Sequence, residues 1–346
     1  MSWTLKRKAQ ALVAGEEGVS LKDWGGRVSV ALVYPNTYAV GMSNLGFQTI
    51  YAHLNALPDV VCERVFFPDP EDLDEYLRSG AAPFSLESLR PLSDFDLVGF
   101  SVTYEGDYIN VVRLLQMAGI PARAAARDPS HPVVLMGGVC AFSNPEPVAP
   151  FMDFVAVGEG EELVAEIIAA YRESGAERAP ESRRRFLEAL TPLPGIYIPG
   201  RYDVRYAPDG TIDEVAPREP GVPRIVAKRR LADVNRFETI STLKTPKAEY
   251  GHMALLEVGK GCGRGCRFCL EGQIYRPVRH RSLEALRESV AQIAKDSKRV
   301  GLVGACVSDY PWIGDLMQVL EEYGVEVSIS SLRADSLTEP LVASLA

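Results

Sequence analysis

The sequence predicts an α/β protein made of two successive α/β regions, the first a doubly wound parallel sheet. Three observations carry this. From Val28 to about Ser174, short apolar runs alternate with amphipathic segments of helix length. A second alternation of the same kind begins at Leu255. The chain has 346 residues, which exceeds what one hydrophobic core usually sustains, so two domains are expected.

In chain order, Val28–Tyr34, Val60–Phe67, Leu97–Val102, Pro132–Met136 and Phe154–Val157 read as strands. Asn44–Ala56, Tyr108–Ala118 and Glu161–Ser174 carry apolar residues at helical spacing and read as helices between them. The β-α-β-α order gives a Rossmann-like domain of about five parallel strands over residues 28–178, after an N-terminal extension of residues 1–27. Ligands of such sheets sit at the carboxyl ends of the strands. Pro35–Gly41, Tyr104–Gly106, Gly137-Gly138 and Gly158–Gly160 are therefore expected to line one crevice.

Residues 179–250 differ in character. Ile196-Tyr197-Ile198 and Asp203–Tyr206, with a turn at Pro208-Asp209-Gly210 and prolines at 217, 220 and 223, read as a small β-hairpin and an extended connector. From 251 to 346 come three β/α units: strands Leu255–Val258, Val300–Val303 and Val325–Ser330, with helices near Leu283–Lys295, Trp312–Tyr323 and Glu339–Leu345. At about 30 residues per unit there is no room for a closed barrel of six or eight. The expectation is a fragment of a longer protein, or a sheet whose open edge must be covered.

Composition narrows the function. The chain is 47% hydrophobic and 24% charged, as a packed globular protein is, which excludes disordered and collagenous classes. Its net charge of −9 repels polyanions, so nucleic acid is not an expected partner. No apolar run approaches the 18 or so residues that span a bilayer, and Lys6-Arg7-Lys8 is followed by too short an apolar stretch for a signal peptide. A cytoplasmic location follows as the expectation. Six cysteines would then stay reduced, and clustered ones would serve as metal ligands rather than disulfides.

The sharpest motif is Gly259-Lys260-Gly261-Cys262-Gly263-Arg264-Gly265-Cys266-Arg267-Phe268-Cys269, a C-x3-C-x2-C run directly after a predicted strand. Three thiolates on one loop can hold an iron–sulfur cluster, and glycines let the backbone wrap it. A fourth cysteine is missing from the loop, so a 4Fe–4S cluster would keep one iron free for a reacting ligand. Two other readings stand beside this one: a zinc site completed by His252 or His280, and three unligated packed thiols. Cys306, Cys62 and Cys140 read as packed residues and not as ligands.

This C-x3-C-x-aromatic-C loop resembles that of the radical S-adenosylmethionine enzymes. The resemblance implies Cys262, Cys266 and Cys269 as ligands of a 4Fe–4S cluster, with S-adenosylmethionine chelating the fourth iron and Phe268 packing near its adenine. It implies a partial (β/α)6 barrel, of which this chain holds the first units, and reductive cleavage of S-adenosylmethionine to a 5′-deoxyadenosyl radical. Val303-Gly304-Ala305-Cys306 stands where the family has a glycine-rich turn after the second strand, without the usual acidic residue. Gly304, Ala305, Ser308 or Asp309, and Arg333 in the polar stretch Ser330–Asp335 after the third strand, are then the residues expected to meet S-adenosylmethionine.

The glycines after the earlier strands, with the cysteine loop downstream, resemble the cobalamin-binding-like domain of the cobalamin-dependent members of that group. The residues this places around cobalamin are Asn36, Tyr38, Gly41, Ser101, Glu105, Gly137, Gly138, Gly158 and Gly160. Where related domains carry D-x-H-x-x-G, this chain reads Asn36-Thr37-Tyr38-Ala39-Val40-Gly41. No histidine is present to ligate cobalt, so any bound cobalamin is expected to be His-off. A dinucleotide site is excluded because Gly158-Glu159-Gly160 lacks a third glycine and its glutamates would repel pyrophosphate.

The expected function is cobalamin-linked methyl transfer or another C–H functionalisation. The alternatives are a cobalamin-independent radical enzyme of methylthiotransferase type and a non-enzymatic metal-binding module. Lys260, Arg264, Arg267, Arg276, Arg279 and Arg281 form a basic cluster in an acidic chain. That cluster suits either an anionic substrate or an acidic electron donor of flavodoxin or ferredoxin type.

Overall fold

The computed structural model describes residues 2–175 and 178–343. The chain runs α1 (Trp3–Ala14), β1 (Val28–Tyr34), α2 (Tyr38–Met42), α3 (Leu45–Ala56), β2 (Val60–Phe66), α4 (Pro70–Ser79), β3 (Leu97–Ser101), α5 (Tyr108–Met117), β4 (Val133–Gly137), α6 (Val139–Ser143) and β5 (Phe154–Ala156). It continues through α7 (Gly160–Glu173), α8 (Pro180–Leu190), β6 (Ile196–Tyr197), β7 (Tyr202–Tyr206), β8 (Ile212–Pro217), β9 (Ala254–Glu257), β10 (Gly259–Lys260), α9 (Glu271–Ile274) and β11 (Arg279–His280). It closes with α10 (Leu283–Asp296), β12 (Arg299–Val303), α11 (Ile313–Glu322), β13 (Glu326–Ile329) and α12 (Glu339–Ala343). Ser344 and Leu345, at the end of the last expected helix, lie outside the described residues. Among the described residues no helix is long and apolar enough to cross a membrane.

Two compact units divide the chain: Met1–Gly15, Val19–Gly41 and Ile50–Arg230 form one, and Glu16–Gly18, Met42–Thr49 and Leu231–Ala346 form the other. Both are mixed α/β with sheets dominated by parallel pairing.

The first unit holds a six-stranded sheet in the order β2-β1-β3-β4-β5-β6. Neighbours from β2 to β5 pair in parallel, and β6 runs antiparallel to β5. β1 is buried at every position, which is why its sequence is apolar apart from Ser29 instead of alternating. Ala31, Val33, Val98, Phe100, Val134 and Met136 join Val111, Leu114 and Leu115 of α5 in one core, each large side chain contributing about 1.5–3 kcal/mol by leaving water. Phe186 of α8 meets Phe154 and Tyr171 edge-on at 5.9 and 5.2 Å. Asp153 adds a polar tie, accepting from Arg127 at 3.0 Å and from Arg183 at 2.7 Å.

β2 forms one edge of this sheet, and that edge is occupied. The Arg64 amide donates to Glu87 Oε2 at 2.8 Å, and its carbonyl accepts from the Leu86 amide at 2.9 Å. The Asn55 side-chain amide takes both the carbonyl and the N–H of Cys62, at 3.0 and 3.1 Å.

Several elements differ from the sequence expectation. Ile196-Tyr197 is not an arm of the hairpin: it closes the main sheet as β6, and the hairpin is β7 with β8. α1, α4 and α8 were not anticipated, nor were the short helices α2, α6 and α9 and the ribbon strands β10 and β11. α4 and α8 each open on a proline at the first helical turn, which marks a start and not a break.

In the second unit β13, β12 and β9 form a parallel sheet in that order, with Val300 opposite both Ala254 and Val327. Residues 239–241 run antiparallel along β9: the Ser241 amide donates to Leu255 at 3.0 Å and the Glu257 amide to Thr239 at 3.1 Å. Leu286, Val290 and Ile293 of α10 and Leu316, Val319 and Leu320 of α11 pack in the core of this sheet. Ser282 caps α10 by accepting from the Ala285 amide at 3.2 Å.

Candidate functional site

The cysteine loop leaves β9 through Glu257 and Val258 and is held at its base by a two-residue ribbon, Gly259 opposite His280 and Lys260 opposite Arg279. Gly261 then turns at φ +82°, where a Cβ would stand 2.3 Å from the Tyr275 carbonyl oxygen, so only glycine fits. Gly265 turns at φ +64° against the Arg276 guanidinium. The Cys269 amide donates to the Cys266 carbonyl at 3.1 Å, closing the far end. Cys262 and Cys269 are half-buried and Cys266 is exposed; all three are free thiols.

Among the described residues, no three His, Cys, Asp or Glu side chains already stand together as a metal-holding group. The donor set nonetheless fits a cluster held from one loop. Three unbonded thiols lie within eight residues on a glycine-hinged segment, and ligation requires their sulfurs to turn toward a common centre. A zinc site completed by His252 does not fit, because His252 precedes β9 while the cysteines follow it. The strand advances about 3.3 Å per residue, which keeps the two ends apart. His280 does lie beside the loop, with its ring packed edge-on against Tyr310 at 5.7 Å.

A charged layer supports the loop, and it takes Lys260 and Arg281 out of the basic cluster expected to face a partner, because both are turned onto Glu257. Glu257, which ends an otherwise apolar strand, accepts from Lys260 at 3.1 Å and from Arg281 at 2.9 Å. Arg281 is buried and also donates to the Val234 and Phe237 carbonyls at 2.6 Å and to Thr239 Oγ1 at 2.7 Å. Burial pushes the Glu271 carboxyl up, with the nearby Glu257 charge adding to the rise. The sequence signal for this layer is a charge at the end of β9 and a basic residue directly after the returning β11.

The residues expected to meet S-adenosylmethionine come together around the ends of β12 and β13. Ser308 is buried and accepts from the Arg333 amide at 3.0 Å and from the Ser336 hydroxyl at 2.7 Å. Gly304 accepts from the Ser331 hydroxyl at 2.8 Å and packs against Val258; Ala305 beside it is half-buried. Arg333 pairs with Asp335 and lies 3.9 Å from Asp309. Phe268 stands apart from them, 94% exposed and packed on nothing within the chain.

In the first unit the reversal of strand order falls between β1 and β3, the usual place for a ligand crevice in an open parallel sheet. Asn36 there donates to Asp107 at 2.8 Å, and Tyr34 shares a hydrogen bond with Thr103 at 2.7 Å. Burial raises the Asp107 carboxyl above its ordinary value, and the Asn36 hydrogen bond opposes that rise. Ser101, Glu105 and Gly137 reach this rim; Glu105 is exposed, and a Cβ on Gly137 would meet open space.

The remaining crevice residues are engaged by the chain itself. Tyr38, in α2, is 6% exposed with its ring edge-on to Phe66 at 5.3 Å, so its phenol is turned into packing and not toward the crevice mouth. Gly41 gives room to Phe66, Gly138 to the Val102 backbone and Gly160 to Ile50. Gly158, at φ +126°, would place a Cβ 2.2 Å from the Arg229 carbonyl oxygen. Arg229 bridges the end of β5, donating its amide to Val157 at 2.9 Å and its guanidinium to Glu162 at 3.0 Å and to Glu166. Cys62 and Cys140 are buried with raised thiol pKa values, and neither lies in a metal-holding group.

Comparison with known proteins agrees with this layout. The chain is 27% identical over 318 residues to an uncharacterized protein of Methanocaldococcus jannaschii, covering 91% of this chain and 57% of the relative. The structure of the radical S-adenosylmethionine methyltransferase TsrM from Kitasatospora setae, solved with cobalamin and a 4Fe–4S cluster bound, superposes with a TM-score of 0.51 at 14% identity. The match covers 92% of this chain and 58% of that one, which shows a shared fold. The chain thus spans less than two thirds of the length of either. Residues 46–199 match the family described as radical SAM proteins, N-terminal.

Proposed function

We propose that this chain is the cofactor-binding part of a radical S-adenosylmethionine enzyme that carries out cobalamin-linked methyl transfer or a related C–H functionalisation. The observation that carries the reading is the cysteine loop: three free thiols on a glycine-hinged segment at the carboxyl end of a parallel strand, beside the Gly304, Ser308 and Arg333 turns. The family match over residues 46–199 and the fold shared with a cobalamin- and cluster-bound methyltransferase support it.

On this reading β9, β12 and β13 are the first strands of a partial (β/α)6 barrel, and the first unit is a Rossmann-like cobalamin-binding domain. Cys262, Cys266 and Cys269 would hold a 4Fe–4S cluster, and the turns at Gly304-Ala305, Ser308 and Arg333 would orient S-adenosylmethionine. The bound cluster would supply the electron that cleaves S-adenosylmethionine reductively. Phe268, free of internal packing, is available to cover an adenine. Arg267 and Arg276 are exposed beside the loop and suit an acidic electron carrier of flavodoxin or ferredoxin type. A centre that must stay reduced belongs in the cytoplasm.

Anaerobic reconstitution tests this directly: about four irons per chain, with absorbance that bleaches on reduction, is the expected result. One tightly held zinc and no iron would overturn it. Cobalamin is tested separately by titration of the folded chain. With Tyr38 packed on Phe66 and no histidine at that position, reduced cobalamin should give a base-off electron paramagnetic resonance spectrum without nitrogen splitting. No uptake at all would remove the methyl-transfer part of the reading and leave a cobalamin-free radical enzyme.

A further inference from the structure

Three strand-end loops of the second unit meet on one carboxylate. Asp309, in the turn after β12, accepts two parallel hydrogen bonds from Arg264 of the cysteine loop, Nε to Oδ2 at 2.8 Å and Nη2 to Oδ1 at 3.0 Å. Arg333, in the turn after β13, approaches Oδ1 at 3.9 Å. Bidentate pairing of this kind fixes direction as well as distance. Arg264 holds the Asp309 carboxyl below the usual carboxylate range, so the charge persists through the neutral and mildly acidic range.

The turn that carries Asp309 is itself anchored. The Val307 amide donates to the Ser331 carbonyl at 3.2 Å, and Ser308 ties the same turn to the Arg333 amide and the Ser336 hydroxyl. The cysteine loop has the opposite character. Gly261, Gly263 and Gly265 give its backbone wide conformational freedom, and a Cβ at Gly263 would touch nothing. Such a loop loses much entropy when three thiols are gathered on one centre. Arg264 lies midway between Cys262 and Cys266, where one fixed point restrains the most backbone.

We propose that Asp309 is the positioning residue of the cysteine loop. Through Arg264 it locks the segment between Cys262 and Cys266 to the ends of β12 and β13, so that the thiols are presented from a preformed loop. The proposal rests on the cluster-binding reading for its purpose, but the restraint it describes exists in the metal-free chain and can be measured there.

The test compares the metal-free wild-type chain with Asp309→Asn, Arg264→Gln and the double variant. Iodoacetamide alkylation of Cys262 and Cys269 is followed residue by residue by peptide mass spectrometry. Each single substitution should speed alkylation about fivefold, the scale of one partly exposed charge pair. The double variant should be no faster than either single, because both remove the same interaction. Asp309→Glu should recover most of the protection, and buried Cys62 should react at the wild-type rate throughout. Iron release from the reconstituted chain to a chelator should accelerate by the same factor. Unchanged rates in both single variants, or additive effects in the double, would overturn the clamp. A wild-type chain that takes up no iron would instead sink the cluster reading, while the alkylation series would still decide the clamp.

Discussion

After β5 of the first unit the chain fills its own turn, with the Arg229 backbone lying where a Gly158 side chain would be and its guanidinium on Glu162 and Glu166. After β9 of the second unit the turn leaves three thiols without partners and directs its charged side chains sideways, to Asp309 and Glu257. Both turns are rich in glycine. In the first, glycine is required because backbone packs on backbone. In the second, Gly259 and Gly261 are likewise packed on the Arg279 and Tyr275 carbonyls, and Gly263, which touches nothing, provides a hinge point among the thiols. A glycine at a strand end therefore indicates close approach, and only the neighbouring side chains distinguish a ligand from the protein itself.

The largest expected effect breaks the comparison if it fails. Replacing Cys262, Cys266 or Cys269 with alanine should reduce reconstituted iron from about four per chain to near zero. Cys62→Ala should retain iron, since Cys62 is buried and lies outside any metal-holding group. Retention of iron by any of the three loop variants would remove that residue from the ligand set.

Next in size is Gly158→Ala. Its positive φ and the 2.2 Å approach to the Arg229 carbonyl should destabilise the first unit by about 3 kcal/mol or more, read as a lower urea midpoint. Gly137→Ala, facing open space, should cost no more than about 0.5 kcal/mol. Equal midpoints for the two would show that the turn after β5 is looser than the Arg229 bridge implies.

A smaller effect sharpens the crevice between β1 and β3. Asn36→Ala removes the hydrogen bond to Asp107 and should cost about 1–2 kcal/mol near neutral pH. Because burial raises the Asp107 pKa above its ordinary 3.8, the folded state favours the protonated acid. That contribution is complete below the unfolded value and is lost as pH rises through the folded value. Asn36→Ala, which removes the donor that favours the anion, should move this loss to higher pH. Stability curves that superpose across pH would show that Asp107 is not coupled to Asn36.

The strands of the first unit were legible because a strand covered on both faces must be mainly apolar, and β1 to β5 are, apart from Glu63 and Arg64 of β2, of which Arg64 is paired with Glu87. α4 was not, because it buries no side chain and its Glu71, Asp72 and Asp74 mask any apolar stripe. α8 was hidden behind Arg183, Arg184 and Arg185, two of which serve Asp153 and the Ser174 carbonyl. β6, two residues long, exists because Val155 and Ala156 offer it a partner, a reason local sequence does not contain. At the site, the cysteine spacing was legible at once, whereas Arg264 and Asp309 are 45 residues apart and only folding brings them together. Tyr38, Gly41, Gly138, Gly158 and Gly160 were expected at a ligand; the structure accounts for each by internal packing.

The two margins of the six-stranded sheet bear on how the protein behaves when concentrated. A row of free amides and carbonyls along a sheet margin is a template on which a strand from another copy can nucleate a fibril or a swapped dimer. Here one margin is only Ile196 and Tyr197, too short to reward an incoming strand, and along the other Leu86, Glu87 and Asn55 already hold the polar groups of Cys62 and Arg64. Strand addition at that second margin would have to strip away those hydrogen bonds first. Crowded samples of the first unit should accordingly resist strand-templated self-assembly even where its apolar strands, read alone, would suggest otherwise.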